Sequence, residues 1–302
     1  MIEIERITAA AARARPHVLR TPMVPVEGAM LKLECLQPTG SFKVRGFFAA
    51  ALNLPADRLR RGLITVSAGN AAQACAYVAK QLGVHCRVVM YDTAPPPKVE
   101  GVKRWGAVPI LMPREAMLEW MATEGWKSEP ESFIHPFAEP EVIAGHGGLG
   151  LELLADMPDL ERVVVPVGGG GLIAGVASAL KATRPDIEVI GVQSDGYPLW
   201  TRCLEAGGAV SIKPDTIADG TTAPFDVRMF GLLKECVDTW LTVPEPRLRT
   251  AIPELAAAAK VVAEGAGALA YAALEQLEPG PATVAVVSGG NIEPKLLASL
   301  LS

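Results

Sequence analysis

The chain has 302 residues, half of them apolar, and a formal net charge of −5. That size and apolar content suit one large domain or two intimate ones around a substantial core, and exclude a disordered chain. The acidic balance, a pI near 5.5 and the lack of any basic block argue against nucleic acid or an anionic membrane as partner, although backbone amides can still bind a small anion.

The first residues, "MIEIERITAA", place Glu3, Glu5 and Arg6 where a signal peptide would be apolar. The five cysteines, Cys35, Cys75, Cys86, Cys203 and Cys236, are widely spaced with no C-x-x-C. They read as reduced thiols filling the core of a cytoplasmic protein, with no surroundings that would activate a catalytic thiolate. Next comes "QPTGSFKVRG", residues 37–46. Here one lysine, Lys43, stands behind a turn-forming Pro-Thr-Gly-Ser and the aromatic Phe42. Taken alone it is a surface charge; aimed by its neighbours it is a reactive amine.

"LITV" then predicts a strand that opens onto "SAGN", followed by a helix, "AAQACAYVAKQLG", stopped by Gly83. In "TVSAGNAAQ", Ser67 and Asn70 add side-chain donors to the amides of Ala68, Gly69 and Ala71 at a helix N-terminus. The group suits a carboxylate, or Ser67 or Asn70 simply caps the helix. "HCRVVMY" and "VPILM" are further strands around a helical "KVEGVKRWG". Residues 112–141, rich in Pro, Glu and Trp, read as a surface helix and a connecting loop near a domain boundary.

The uncharged run from Val163 to Leu180 is long enough for a membrane helix, but Pro166 and four glycines interrupt it. It reads as a buried strand, "RVVVPV", then Gly168-Gly169-Gly170-Gly171, then a helix. Glycines let amides converge on a phosphate at a helix N-terminus; the alternative is a structural turn. No Gly-Lys-Ser/Thr follows, so it is not a Walker loop. Gly169-x-Gly171-x-x-Ala174 meets the dinucleotide pattern, yet the following strand, "EVIGVQS", offers Gln193 where an acid would hold a ribose. "RLRTAIPELAAAAKVVAEGAGALAYAALEQL" reads as two helices broken near Glu264-Gly265. The last strand, "TVAVVSGGN", puts Ser288 at its carboxyl end, where open α/β sheets bind ligands, or where a turn needs a serine.

Continuous apolar strands alternating with helices predict an α/β fold with parallel sheets flanked by helices. A phosphate cradle, a carboxylate cradle and one lysine together suggest a phosphorylated aldehyde held as a Schiff base: pyridoxal 5'-phosphate with an amino acid.

"PTGSFKVRG", "SAGN", "VGGGGL" and "SGGN", in this order, resemble the fold type II pyridoxal-phosphate enzymes, and within them the threonine/serine dehydratases and serine racemases. "HPFAEPEVIAGHG", "TIADG" and "EGAGALA" agree, so the likeness runs from Arg20 to "SGGN". The resemblance implies two domains, each on a twisted, mostly parallel sheet: a large one of residues 1–51 and 139–302, and a small one of 52–138. It implies that Lys43 is the Schiff-base lysine and the base for the Cα proton, with Phe42 against the pyridine ring. Gly168, Gly169, Gly170, Gly171 and Leu172 would hold the phosphate, and Asn70 the ring's 3-oxygen. Ser67, Ala68, Gly69 and Ala71 would clasp the substrate carboxylate, and Ser288 would face the pyridine nitrogen. A homodimer is implied by the same likeness.

Departures from the family pattern narrow the activity. Ala68 stands where the racemases have a serine acid–base, so their two-base route is not expected. Gln193 and Leu199 stand where racemase-like members have metal-binding acids, leaving Asp195 alone, so no metal of that kind is expected. Gly265 replaces a proline after Glu264. The expected reaction is dehydration and deamination of a β-hydroxy L-amino acid such as threonine or serine to a 2-oxo acid and ammonia. Rivals are elimination on another β-substituted amino acid (a hydroxyaspartate or a phenylserine), a nicotinamide oxidoreductase using the glycine loop, and a non-catalytic amino-acid sensor. Phe137 and the "ADGTTAPF" stretch are the candidates for the side-chain pocket.

Overall fold

The computed structural model describes residues 1–279 and 281–302. Among them run ten strands: β1 (Met23–Val26), β2 (Ala29–Lys32), β3 (Leu63–Val66), β4 (Cys86–Tyr91), β5 (Val108–Met112), β6 (Ser132–Phe133), β7 (Arg162–Pro166), β8 (Glu188–Ser194), β9 (Thr239–Val243) and β10 (Thr283–Val286). They form two sheets. One has six strands in the order β1-β2-β10-β7-β8-β9, and the other four, β5-β4-β3-β6. Every pairing of these strands is parallel except β1 with β2. Strands β3 and β10 are buried throughout, as expected of apolar runs covered on both faces.

The six strands expected from apolar runs are present. Four others are not foreshadowed. β1 and β2 form a hairpin closed between Val26 and Ala29, with Gly28 at φ +74°; a proline in "MVPV" disguises β1, which can carry one only because it is an edge strand. β6 has two residues, and β9 is a half-buried edge. The tract 112–141 does hold a helix, Arg114–Ala122, and a loop, but β6 lies inside it. The long Ala-rich tract splits into Glu245–Ala259 and Gly265–Ala272, with Lys260 at φ 58° ending the first helix.

Three strand ends converge on the site. The helix Asn70–Leu82 leaves the carboxyl end of β3, with Gly83 at φ +68° as its stop. The helix Gly171–Thr183 leaves the end of β7. Ser288 lies just beyond the end of β10. The helix Lys43–Asn53 is clamped on the helix Pro140–Asp156 by glycines: a Cβ on Gly46 would lie 2.7 Å from the Val142 carbonyl, and one on Gly145 2.5 Å from the Ala49 Cβ. Val44, Phe47 and Phe48 of this helix share one apolar core with Ala72, Val78 and Val88, so the element that begins at Lys43 packs against the four-stranded sheet as well.

Candidate active site

Lys43 opens its helix, with Phe42 at the cap. Its Nζ donates to the Pro136 carbonyl at 2.9 Å and lies 5.0 Å from the Phe42 ring centre. Burial of the amine lowers its pKa to about 8, which makes a neutral, basic nitrogen accessible near physiological pH. The backbone is anchored on both sides. Phe42 donates its N–H to the Ser288 carbonyl at 3.1 Å, and Ser41 bridges Gly289. Two residues on, Arg45 grips the fully buried Glu34 with two bonds, of 2.7 and 2.8 Å, and also reaches Glu152. The Arg45 cation holds the Glu34 carboxyl below its ordinary range against the opposing effect of burial.

The glycine loop meets this lysine through one short segment. Pro136 accepts from Lys43, and the next residue, Phe137, lies on the loop. A Cβ on Gly169 would stand 2.3 Å from the Phe137 ring, and one on Gly171 2.5 Å from the Phe137 carbonyl. Gly168 is closed off by Gly220 and Thr221, and its carbonyl accepts from Trp200 Nε1 at 2.5 Å. Both stretches expected at the side-chain pocket, Phe137 and "ADGTTAPF", are thus packed on the loop. Gly170, at φ +87°, caps the helix Gly171–Thr183 without any side-chain cap. Among the described residues, no amide from Gly168 to Leu172 donates to a protein group. Converging amides at a helix N-terminus without partners fit a phosphate.

The asparagine loop is arranged differently from a simple cap. Asn70 begins its helix but does not cap it; its Nδ2 donates to Glu264 Oε1 at 2.6 Å, and its Oδ1 accepts from Asn291 Nδ2 at 2.8 Å. Ser67 Oγ accepts from the Gly69 amide at 3.0 Å, so that amide is already engaged within the loop. Ala68 is half-buried and Ala71 buried against the core, the latter at the first turn of the helix. Ser288 is buried, and its Oγ donates to the Ala266 carbonyl at 3.4 Å.

Three titratable neighbours were not assigned from the sequence. Glu264 is buried, and burial pushes its pKa up to about 7. His135 Nδ1 accepts from the amides of Phe137 and Ala138, shaping the segment over Lys43; burial, with Arg228 beside it, lowers its pKa to about 4. His146 packs edge-on against Phe42 with ring centres 4.8 Å apart, and burial holds it neutral. Asn291 is the last letter of "SGGN", and Glu264 the first of "EGAG"; the motifs were visible, but only the fold brings them to Asn70. Gly265 is explained by packing, since a Cβ there would be 2.3 Å from the Ile217 carbonyl. Gln193 Oε1 accepts from the amides of Trp200 and Thr201, an anchoring role for the helix Leu199–Ala206. All five cysteines are buried and unpaired.

A buried lysine amine bonded to Pro136, whose neighbour Phe137 packs on the glycine loop, and two mostly parallel sheets are the arrangement expected of a fold type II pyridoxal-phosphate enzyme. The chain belongs to the family described as "Pyridoxal-phosphate dependent enzyme", whose profile matches residues 14–289, and within it to the threonine/serine dehydratase and serine racemase group. It is 42% identical over 284 residues to an L-threonine ammonia-lyase of Thermotoga maritima, covering 90% of this chain and 69% of that one. Maize serine racemase superposes with a TM-score of 0.92 at 30% identity, covering 99% of this chain and 96% of that one. A threonine deaminase from "T.th." does so at 0.89 and 37% identity, covering 96% of this chain and 99% of that one. Pyridoxal phosphate is the cofactor this family uses, and the site's unpartnered amides and low-pKa lysine fit it. The nicotinamide alternative for the glycine loop is thereby displaced.

Proposed function

We propose that the protein dehydrates and deaminates a β-hydroxy L-amino acid, threonine first and serine second, to a 2-oxo acid and ammonia. The observation that carries this reading is the buried Lys43 amine bonded to the Pro136 carbonyl, in the segment whose next residue, Phe137, packs on the glycine loop. Lys43 would anchor the cofactor, and the amides of Gly168 to Leu172 would receive its phosphate. Phe42 would lie against its ring, Asn70 would donate to its 3-oxygen, and Ser288 would face its ring nitrogen. The bound cofactor supplies a sink for the electrons left when a Cα proton departs.

The chain's residues do the rest. Lys43 takes the Cα proton at Nζ, and its lowered pKa keeps the amine unprotonated often enough to act as base. Ser67, Ala68 and Ala71, at a helix N-terminus, hold the substrate carboxylate, while Gly69 shapes the loop, because its amide donates to Ser67 Oγ and so leaves the Ser67 hydroxyl hydrogen for the carboxylate. Alanine at position 68 has no proton to deliver to the opposite face, which favours elimination over racemisation.

The same proposal takes residues 1–51 and 139–302 as a large domain on the six-stranded sheet and 52–138 as a small one on the four-stranded sheet, acting as a cytoplasmic homodimer. Five buried, unpaired thiols support a reducing compartment. Among the described residues no helix is long and apolar enough to cross a membrane. A panel of β-substituted L-amino acids, scored for both keto acid and ammonia, tests the activity. Turnover of threonine and serine is expected; turnover of neither, with a hydroxyaspartate or phenylserine consumed, would refute the substrate assignment.

A further inference from the structure

Asn70 is held from both ends, and the order of the bonds is dictated by a backbone carbonyl that can only accept. The Thr39 carbonyl accepts from Asn291 Nδ2 at 2.8 Å, which settles which end of the Asn291 amide faces it. The same Nδ2 donates its other hydrogen to Asn70 Oδ1 at 2.8 Å. Asn70 Nδ2 must then face the other way, and there it meets Glu264 Oε1 at 2.6 Å. Two glycines, Gly40 and Gly289, make room for this chain of bonds, and Gly290 packs beside it. A Cβ on Gly40, at φ +74°, would be 2.6 Å from Asn291 Oδ1. One on Gly289 would be 2.2 Å from Glu264 Oε1, and one on Gly290 would meet the Val262 carbonyl at 2.5 Å. The turn before Lys43, the turn after Ser288 and the start of the helix Gly265–Ala272 are therefore built around one amide. A second tie, between Lys98 and Asp219, joins the same two sheets' connecting segments.

We propose that Glu264 is a positioning residue for the cofactor: by taking one Nδ2 hydrogen of Asn70 while Asn291 occupies Oδ1, it commits the remaining Nδ2 hydrogen to the cofactor's 3-oxygen. The inference rests on the reading that Asn70 meets that oxygen, and adds to it the residue that decides which face of the amide is presented. An amide free to flip would present its oxygen half of the time, setting two acceptors against each other. Glu264 touches neither substrate nor cofactor in this account; it acts through Asn70.

The test is a double-mutant cycle on the loaded enzyme, read by cofactor affinity and by the pH midpoint of its visible absorption, with melting temperature as control. Glu264→Gln keeps an acceptor of the same shape, and Glu264→Met keeps the length but removes it. Glu264→Met should weaken cofactor binding roughly tenfold, the worth of one hydrogen bond to a buried group, and shift the absorption midpoint. Glu264→Gln should stay within about threefold, because its amide oxygen still accepts. Glu264→Met should add nothing once Asn70→Ala is present. If Asn70→Ala shifts the absorption but Glu264→Met does not, or if the two effects add in full, Glu264 does not position Asn70. If Asn70→Ala itself leaves absorption and affinity unchanged, the parent reading of Asn70 fails, and the inference with it. Should Glu264→Met not fold, Asn291→Ala removes the opposite tether and should produce the same shift; no shift overturns the inference.

Discussion

Phe42 and Ser288, 246 positions apart in the chain, are joined by a backbone hydrogen bond of 3.1 Å from the Phe42 amide to the Ser288 carbonyl. The bond ties the residue before Lys43 to the segment just beyond β10. It places a neutral hydroxyl, that of Ser288, beside the lysine's own turn. If Ser288 faces the ring nitrogen of the cofactor as proposed, its neutral hydroxyl would not enforce protonation there, which would favour loss of the β-substituent over transamination. Ser288→Asp should raise the share of transamination over elimination. An unchanged product ratio in a folded, loaded variant would count against this role.

Arg45 follows Lys43 by two residues, and its ion pair with Glu34 is buried on both sides. Removing one partner leaves an uncompensated buried charge. Arg45→Met should cost about 3–5 kcal/mol of stability, read by chemical denaturation. Arg45→Met with Glu34→Met should cost less than Arg45→Met alone. A double variant worse than the single one would contradict the account of this pair.

Glycines at the loop and elsewhere should respond oppositely to a methyl group. Gly171→Ala drives a Cβ into the Phe137 carbonyl and should lower cofactor affinity by roughly tenfold or more, the loss of at least one amide contact to the phosphate. Gly231, in the helix Val227–Cys236, has nothing within 4 Å of its Cβ position. Gly231→Ala should leave cofactor binding alone and stabilise the fold by up to about 1 kcal/mol. Titration of the apoprotein and thermal melting separate the two.

His135 gives the fold an acid-sensitive point. Its folded pKa of about 4 lies below the ordinary 6.5. Between these values the unfolded chain binds the extra proton, so stability falls as pH falls, by roughly 1.4 kcal/mol per pH unit. Arg228 and Lys43 oppose protonation and Asp226 favours it. Glu264, raised from 4.5 to about 7, works in the other sense: its contribution is complete below 4.5 and is lost as pH rises through 7. The difference in stability between wild type and His135→Asn, whose amide oxygen can still accept from the loop amides, isolates the histidine. That difference should fall steadily from about pH 6.5 to about 4, and a flat difference would refute the assignment.

The parallel strands and the helix N-termini were legible because each is a local pattern: an apolar run, small residues after it, a glycine stop. The β1–β2 hairpin was not, since a proline and a half-exposed face erase the periodicity. The partnership of Asn70 with Glu264 and Asn291 was hidden for another reason. It joins residues 194 and 221 positions apart, and nothing local distinguishes a glutamate that caps a helix from one that reaches across two sheets. Likewise His135 looked like part of a loop; only the turn of the backbone over Lys43 shows that its ring holds that loop.

Borohydride reduction of the purified, loaded enzyme, followed by peptide mapping, tests the central claim most directly. The account predicts loss of the visible absorption band and a stable phosphopyridoxyl mass on the peptide that carries Lys43, with neither in Lys43→Ala. A reduced adduct on any other lysine, or a band that survives unchanged in Lys43→Ala, would contradict it.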